Sequence, residues 1–278
     1  MNQIRISQRK ERIELGVGPI VSIMEHPSEI NCIIVASSSG SIFYLKMEPF
    51  KIVQEFKLFY QYCLCAIVFQ GGICAGGSNG ELARMNILGE VEWRKKVHSD
   101  CISGIVETLD HLVTVSHDCH IKFLNKLTQG VEKEIDLESP IWSAAYLQNT
   151  IFTSGNRSYS IPLSNFTPRK IKRFDHFGVF NNKLYACSDE RGLTCLTTNS
   201  NSYIPCNFIL PLGDRMMIFS EECIGEITHE TNMQWKCHRI KEIKPGTTIT
   251  SGCSNKSSMI LGDVEGFVYK IDLENESS

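Results

Sequence analysis

The sequence has no long hydrophobic run, no Cys-x-x-Cys motif and almost no excess of either charge. The longest apolar stretch, Cys63 to Phe69, has seven residues, whereas a membrane-spanning helix needs about 20. No apolar segment follows the charged N-terminal residues, so we expect no signal peptide. Twenty-eight basic and 31 acidic residues give a formal net charge of −3. This balance argues against attraction of the whole molecule to nucleic acid or to an anionic membrane.

The twelve cysteines are scattered, and no Cys-x-x-Cys occurs among them. Without an export route we expect them to remain thiols in a reducing compartment. Free cysteine is among the most buried residue types, so the sequence favours small buried apolar side chains over a metal or redox site. We therefore expect no metal and no cofactor.

A repeat runs along nearly the whole chain. A short apolar strand, a polar turn and a second strand recur seven times, and the first apolar residues after the turns are 34 to 41 residues apart: Ile42, Leu82, Ile121, Tyr159, Leu193, Ile227 and Val268. Units of this length, rich in strand and turn signals, are typical of a propeller of four-stranded blades. The sequence thus predicts an all-β fold, a seven-bladed β-propeller of four-stranded antiparallel blades.

The third unit divides clearly into four strands, which we place at 102–107, 111–116, 120–125 and 131–137. The seventh unit lacks an outer strand, since the chain ends soon after Leu273. We expect the N-terminal segment to supply that strand and so to remove an open edge. This predicts one domain over residues 1–273 and a short acidic and polar tail over 274–278.

The third unit resembles the WD40-repeat family. His98 precedes its first strand, Ser116 lies on its second, and Asp118 is in the following turn, before Ile121. The resemblance implies that His98, Ser116 and Asp118 form a buried structural relay. Leu124 stands where the family has tryptophan, and the motifs of the other units are degenerate. Residues 89–93 and 231–235 are instead similar to the Gly-x-x-x-Trp element of quinoprotein-like propellers, which implies the same architecture.

The resemblance also implies a partner-binding face, because WD40 propellers commonly bind partners through the loops between strands d and a and between strands b and c. The candidate partner-binding residues on those loops are Tyr60, Asp100, Trp142, Arg157, His176, Phe177 and Arg191, with Asn79 beside them. Large aromatic residues and arginines dominate protein interfaces. Tyr60 and Trp142 could equally pack between blades.

Basic residues cluster on the outermost predicted strands, at residues 5–12 and at two further places. Charged side chains on such strands discourage edge-to-edge association, but they also attract phosphates. The candidate phosphate contacts are Arg94, Lys95, Lys96, Arg169, Lys170, Lys172 and Arg173.

Two patterns that suggest chemistry have structural explanations. Residues 76–80 match the Gly-x-Ser-x-Gly pattern of hydrolases, which requires a turn between a strand and a helix, but here the pattern lies between two predicted strands. His117, Cys119 and His120 occupy one turn, and consecutive strand residues cannot converge as tetrahedral ligands. The sequence supplies no recognisable nucleophile, base and oxyanion-donor set.

The sequence therefore favours a non-catalytic scaffold or adaptor that mediates protein–protein interactions within a multi-subunit complex in the cytoplasm or nucleus. One alternative is a propeller subunit of an RNA-modifying enzyme, or a WD40-like hydrolase. Another is binding of nucleic acid or phosphoinositide through the basic outer strands. The sequence does not identify the partner.

Overall fold

The computed structural model describes residues 4–188, 192–198, 200–202, 206, 208–212, 215–220, 224–227, 235–238, 243, 247–254 and 258–275. In these residues the chain forms 28 strands, and the strands pair into seven four-stranded antiparallel sheets. Over the same ranges, no helix is long and apolar enough to cross a membrane.

Sheets 1 to 6 each contain four consecutive strands, which we label a to d in chain order. Sheet 1 contains β2 (Ile20–Glu25), β3 (Cys32–Ser37), β4 (Ser41–Met47) and β5 (Phe50–Lys57). Sheet 2 contains β6 (Cys63–Phe69), β7 (Gly72–Gly77), β8 (Glu81–Met85) and β9 (Val91–Lys96). Sheet 3 contains β10 (Ile102–Glu107), β11 (His111–Ser116), β12 (His120–Asn125) and β13 (Val131–Asp136).

The remaining sheets follow the same plan. Sheet 4 contains β14 (Ile141–Leu147), β15 (Thr150–Gly155), β16 (Ser158–Pro162) and β17 (Arg169–Ile171). Sheet 5 contains β18 (His176–Phe180), β19 (Lys183–Ser188), β20 (Gly192–Cys195) and β21 (Ser200–Ser202). Sheet 6 contains β22 (Phe208–Leu212), β23 (Arg215–Phe219), β24 (Ile224–Ile227) and β25 (Trp235–His238). Sheet 7 contains β26 (Ile249–Ser254), β27 (Ser258–Asp263), β28 (Phe267–Asn275) and β1 (Ile4–Glu14).

Burial follows strand position within a sheet. The b strands β3, β7 and β27 are buried at every residue, whereas the d strands β5, β9 and β13 are mostly exposed. A strand covered on both faces reads as a continuous apolar run. The outer strands are rich in charge instead, as an exposed edge requires.

The chain divides into two compact units, one of residues 1–56 and 206–278 and the other of residues 57–205. In the first unit, strands β22, β26 and β2 bring sheets 6, 7 and 1 together in that order. Ile20, Val35, Leu45 and Ile260 belong to the core between sheets 1 and 7. A second cluster, which includes Phe219 and Leu261, fills the space between sheets 6 and 7.

In the second unit, strands β6, β10, β14 and β18 bring sheets 2 to 5 together in that order. Phe69 and Ile102 belong to the core between sheets 2 and 3, and Phe123 and Ile151 to the core between sheets 3 and 4. A smaller cluster around Leu184 joins sheets 4 and 5. Each layer of side chains therefore belongs to two neighbouring sheets.

The N-terminal strand β1 completes sheet 7. It pairs antiparallel with β28 from Ile4 opposite Asn275 to Glu14 opposite Phe267. Lys270, which is only 4% exposed, reinforces this pairing. Its ammonium donates to the Glu11 carboxylate at 3.2 Å and to a backbone oxygen of β4 at 3.0 Å. Buried charges are tolerated when they are paired in this way.

The fold predictions are confirmed. The structure is all-β, its sheets are four-stranded and antiparallel, and the N-terminal segment completes the last sheet. The strands of the third unit match the predicted bounds, except that β13 ends at Asp136. That residues 1–273 form one domain stays a prediction.

Candidate functional site

One end of the sheets in the second unit carries the loops that the sequence singled out. In an antiparallel sheet, the b–c turn and the connection from strand d to the next strand a leave from the same end. These segments are residues 58–62, 78–80, 97–101, 117–119, 137–140, 156–157 and 172–175, and we call them the turn surface.

Backbone hydrogen bonds join neighbouring segments of the turn surface. The carbonyl oxygen of Gly80 accepts from the amides of Val97 and His98 at 3.0 and 3.1 Å. The Ser78 amide donates to the Tyr62 carbonyl at 2.7 Å. In sheet 3, the His117 amide donates to the Cys101 carbonyl at 3.1 Å and the Leu137 amide donates to the Cys119 carbonyl at 3.0 Å. The b–c turns of sheets 2 and 3 are thus hydrogen-bonded to the connections on both sides of them.

Gly80 shows how closely these segments approach. Its φ of +81° is one that glycine adopts without strain. A Cβ at this position would lie 2.2 Å from the carbonyl oxygen of His98 and 2.6 Å from that of Asp100. The Asn79-Gly80 turn predicted from the sequence therefore also packs closely against the connection between sheets 2 and 3.

His98 is at the centre of a buried hydrogen-bond relay in sheet 3. Its side chain is fully buried, and Nδ1 lies 2.9 and 3.0 Å from the two carboxylate oxygens of Asp118. Nε2 lies 2.9 Å from the Thr114 hydroxyl. The network thus assigns a neutral imidazole that donates from Nδ1 to Asp118 and accepts at Nε2 from Thr114.

The pKa values of the relay agree with this assignment. Burial lowers the pKa of His98, because desolvation outweighs the opposing effect of Asp118. Burial also acts to raise the pKa of Asp118, but hydrogen bonds from the Ser99 and His120 amides and the His98 ring together lower it to about 2. The pair is therefore a neutral imidazole and a carboxylate at neutral pH.

Thr114 is the relay member that the sequence analysis missed. Ser116, which was predicted for that role, donates to the Asp100 carbonyl at 3.2 Å and accepts from the Asp118 amide at 3.1 Å. It therefore supports the turn that holds Asp118, while Thr114 contacts the imidazole. The two hydroxyls lie two residues apart on β11, so both face the same side of the strand. Because the two hydroxyls share a face of β11, the strand pattern could have suggested either residue as the partner of His98.

The most exposed aromatic side chains of the turn surface are tyrosines. Tyr60 is 92% exposed and Tyr62, which the sequence analysis did not name, is 68% exposed. Tyr60 does not pack between sheets. Asp100 is exposed in the chain's next d–a connection, and its carboxylate accepts from the Cys101 amide at 2.6 Å. Arg157 is exposed and lies 3.9 Å from the Glu138 carboxylate.

The other partner-binding candidates differ in accessibility. Trp142 is half-buried on β14, with the Arg173 guanidinium 5.4 Å from its ring centroid. Phe177 is half-buried, 5.8 Å from the ring of Phe174, so it contributes to packing between sheets 4 and 5. His176 is exposed. Arg191 lies outside the described residues.

The basic residues of β9 contact their own chain. Arg94 forms an ion pair with Glu81 at 2.9 Å and lies over the Phe59 ring. Lys95 donates to the Gln129 carbonyl at 2.8 Å, and Lys96 donates to the backbone of the b–c turn of sheet 2. These contacts within the chain account for the positions of the three side chains, so a bound phosphate is not needed to explain them.

The second basic cluster is in sheet 4. Arg169 and Lys170 are exposed on the outermost strand β17, and Lys172 and Arg173 follow that strand. Sheet 3 lies between this cluster and β9 in the second unit, and its outer strand β13 carries exposed Glu132, Glu134 and Asp136. The N-terminal basic cluster at residues 5–12 includes residues 5, 9 and 10, whose side chains the structure does not describe. The basic clusters of sheets 2 and 4 thus have an acidic strand between them.

The two patterns that suggested chemistry lie in b–c turns. Ser78 follows β7 and precedes β8, so a strand and not a helix follows it. His120 pairs with Glu134 at 3.3 Å, and its backbone amide binds Asp118. Over the ranges described above, no three His, Cys, Asp or Glu side chains are placed to hold a metal ion.

Solved structures with this arrangement of sheets identify the fold. The WD40 repeats of RRP9 match with a TM-score of 0.80 at 13% identity, covering 99% of this chain and all of that one. U3-55K matches with a TM-score of 0.76 at 12% identity, covering 95% of this chain and 98% of that one. The chain has the WD40 β-propeller fold. No protein-family model matches the sequence, and no curated protein does either. The WD40 resemblance of the sequence is thereby confirmed at the level of the fold.

Proposed function

We propose that the chain is a non-catalytic scaffold that binds protein partners through the turn surface of the second unit. The observation that carries the proposal is the combination of a fixed backbone with exposed Tyr60 and Tyr62. Large aromatic side chains on a rigid backbone bury much area at low entropic cost when a partner binds.

The relay supports this role because it is structural. His98, Thr114 and Asp118 satisfy one another, and the His98 side chain has no exposed surface from which to reach a substrate. Their effect is to hold the 97–101 connection beside the b–c turns. A propeller that presents pre-organised loops to partners is what the WD40 fold commonly provides, so the fold and the loop geometry favour the same role.

Copurification from the native cell tests the proposal. We expect the tagged chain to elute with stoichiometric protein companions from the cytoplasm or nucleus. A Tyr60→Ala, Tyr62→Ala double variant should lose them, because it removes the exposed aromatic side chains without touching the hydrogen-bonded backbone.

The matched control is a Leu109→Ala, Leu127→Ala double variant. These leucines are 84% and 82% exposed, in the a–b and c–d turns of sheet 3 at the opposite end from the turn surface. The control should keep the companions. Elution of the wild-type chain alone would contradict the scaffold function, and equal retention of companions by both double variants would show that the turn surface is not the binding site.

A further inference from the structure

A groove lies between sheets 4 and 5 in the second unit. Its volume is about 650 Å³, within the range of about 300–1,000 Å³ typical of ligand-binding clefts. Side chains from both sheets line it, with Phe152 from β15 and Leu196 from the end of β20. The groove is a separate feature from the tyrosines of the turn surface.

The floor of the groove is apolar. Phe152, Ile171, Phe174 and Leu196 form it, and Phe174 is only 1% exposed. The Phe177 ring packs against two of these side chains, with ring centroids 6.2 Å from Phe152 and 5.8 Å from Phe174. An apolar depression with a firm base suits the side chain of an aliphatic or aromatic residue.

The edge of the groove is basic. Lys170 and Lys172 line it beside the floor, in a five-residue segment, 169–173, that carries four positive charges. Arg173 has a partner, because Asp175 lies 3.7 Å away. In the part of the chain that the structure describes, neither lysine forms an ion pair. Their ammonium groups are therefore available to carboxylates of a ligand.

We propose that this groove binds an acidic peptide segment of a protein partner, with an apolar side chain on the floor and carboxylates against Lys170 and Lys172. The proposal rests on the proposed scaffold function and adds a partner class to it. Charge complementarity selects the acidic character of the peptide, and the apolar floor selects the hydrophobic anchor. Sheet 4 ends at β17, so no further strand of this sheet lies beyond Lys170.

A nucleic acid fits these observations less well. Single-stranded nucleic acid binds by stacking bases on accessible aromatic faces along a positive track. The Phe174 ring is buried, and Ile171 and Leu196 have no aromatic ring, so the partly exposed Phe152 is the single ring of the floor on which a base could stack. The acidic strand β13 of sheet 3 also interrupts the positive charge next to sheet 4. The groove therefore suits a short peptide with one anchoring side chain better than an extended nucleic acid strand.

Fluorescence anisotropy with defined probes tests the proposal on the full chain. The probe is a short labelled peptide in which two leucines are flanked by aspartates and glutamates. Replacing its leucines with alanines should weaken binding by about tenfold, since the apolar contact is lost. Replacing its acids with their amides should weaken it by a similar factor. A labelled oligouridine at the same ionic strength serves as the comparison.

Variants of the chain locate the site. A Lys170→Glu, Lys172→Glu double variant should weaken peptide binding by about tenfold or more, and Ser160→Trp, which fills the groove, should do the same. A Lys51→Glu, Lys57→Glu double variant on β5 makes the same charge change outside the groove and should alter binding by less than about twofold. Circular dichroism establishes that each variant folds, and Ser160→Trp keeps the test decisive if charge reversal unfolds the chain.

The outcomes separate this proposal from the scaffold function. Equal binding of the leucine and alanine peptides, equal loss in both lysine double variants, or tighter binding of oligouridine would overturn the groove proposal. If native companions still copurify in that case, the scaffold function stands without the groove. If the peptide binds as expected but no companions copurify, the groove stands and the scaffold function is wrong.

Discussion

Replacing Asp118 with alanine removes a carboxylate that accepts from the Ser99 hydroxyl at 3.4 Å and from three closer donors. These are the imidazole Nδ1 of His98 and the backbone amides of Ser99 and His120, all within 3.0 Å. Ser99 is exposed, so water can replace its lost partner. The His98 side chain is fully buried, and its donor would remain unsatisfied.

Two routes give the same magnitude for this loss. The pKa of Asp118 falls from 3.8 to about 2 in the folded chain, and about 1.4 kcal/mol per pKa unit converts this difference to about 2–3 kcal/mol. A buried donor left without an acceptor costs about 1–3 kcal/mol. We therefore expect Asp118→Ala to lower the free energy of unfolding by about 2 kcal/mol at neutral pH.

The loss should depend on pH in a defined direction. The pKa of Asp118 is lower in the folded than in the unfolded chain, so its contribution is complete above about pH 3.8 and disappears as the pH falls towards 2. The pKa of His98 is lowered below 6.5, so its protonation costs stability as the pH falls below that value. The Asp118 carboxylate acts to raise the pKa of His98 and so partly offsets this lowering. The gap between wild type and variant should therefore widen below pH 6.5 and close between pH 3.8 and 2.

Urea unfolding followed by tryptophan fluorescence measures the gap, with Asp110→Ala as the control. Asp110 is exposed in the a–b turn of the same sheet, so its removal changes the charge equally and should cost less than about 0.5 kcal/mol. Thr114→Val should also destabilise the chain, and its effect should be less than additive with Asp118→Ala, because both act through His98. A loss at pH 7 no larger than that of Asp110→Ala, or a gap unchanged down to pH 2, would refute the relay argument.

Three further substitutions probe turns and a second buried carboxylate. Gly80→Ala should lower the free energy of unfolding by at least about 2 kcal/mol more than Gly71→Ala does. Both glycines have positive φ, but only at Gly80 would the added Cβ clash with backbone oxygen atoms. Equal Tm values for the two variants would contradict the close approach at Gly80. Cys119 has a φ of +73°, so Cys119→Gly should raise the free energy of unfolding by about 0.5–1 kcal/mol, measured in urea. Tyr269→Phe removes the 2.8 Å bond to buried Asp263 and should cost about 1–2 kcal/mol; an unchanged denaturant midpoint would show that this bond adds no stability.

The strand pattern was predictable because sheets 1 to 4, whose outer strands are described, repeat one burial gradient. Buried b strands read as apolar runs and outer strands as charged segments, and polar turns separate them. The missing outer strand of the seventh unit followed from a count of strands, and the alternating residues of the N-terminus supplied it. These features are local in the sequence or follow from the need to cover an edge.

Features that depend on contacts between sheets were not predictable in the same way. Thr114 and Ser116 share a face of one strand, and only the position of the imidazole from another part of the chain distinguishes them. The groove between sheets 4 and 5 joins Phe152 to Leu196. No sequence period relates these two residues, because their contact depends on how two sheets pack. Tyr62 was missed because exposure in a loop follows from the loop's path and not from residue type.

The described b–c turns share a kind of hydrogen bond more than they share a motif. In three of them, a side-chain oxygen of aspartate or asparagine accepts from the backbone amide two residues farther along the chain. Three sheets show this with different residues: Asn79 to Glu81, Asp118 to His120 and Asp263 to Glu265. Only Asp118 also binds a histidine, while Asp263 binds a tyrosine hydroxyl. In these three sheets the local acceptor is kept although the residue that supplies it differs. A hydrogen bond of this kind constrains residue type only loosely, which agrees with the 13% identity at which the chain matches the WD40 repeats of RRP9 over 99% of its length.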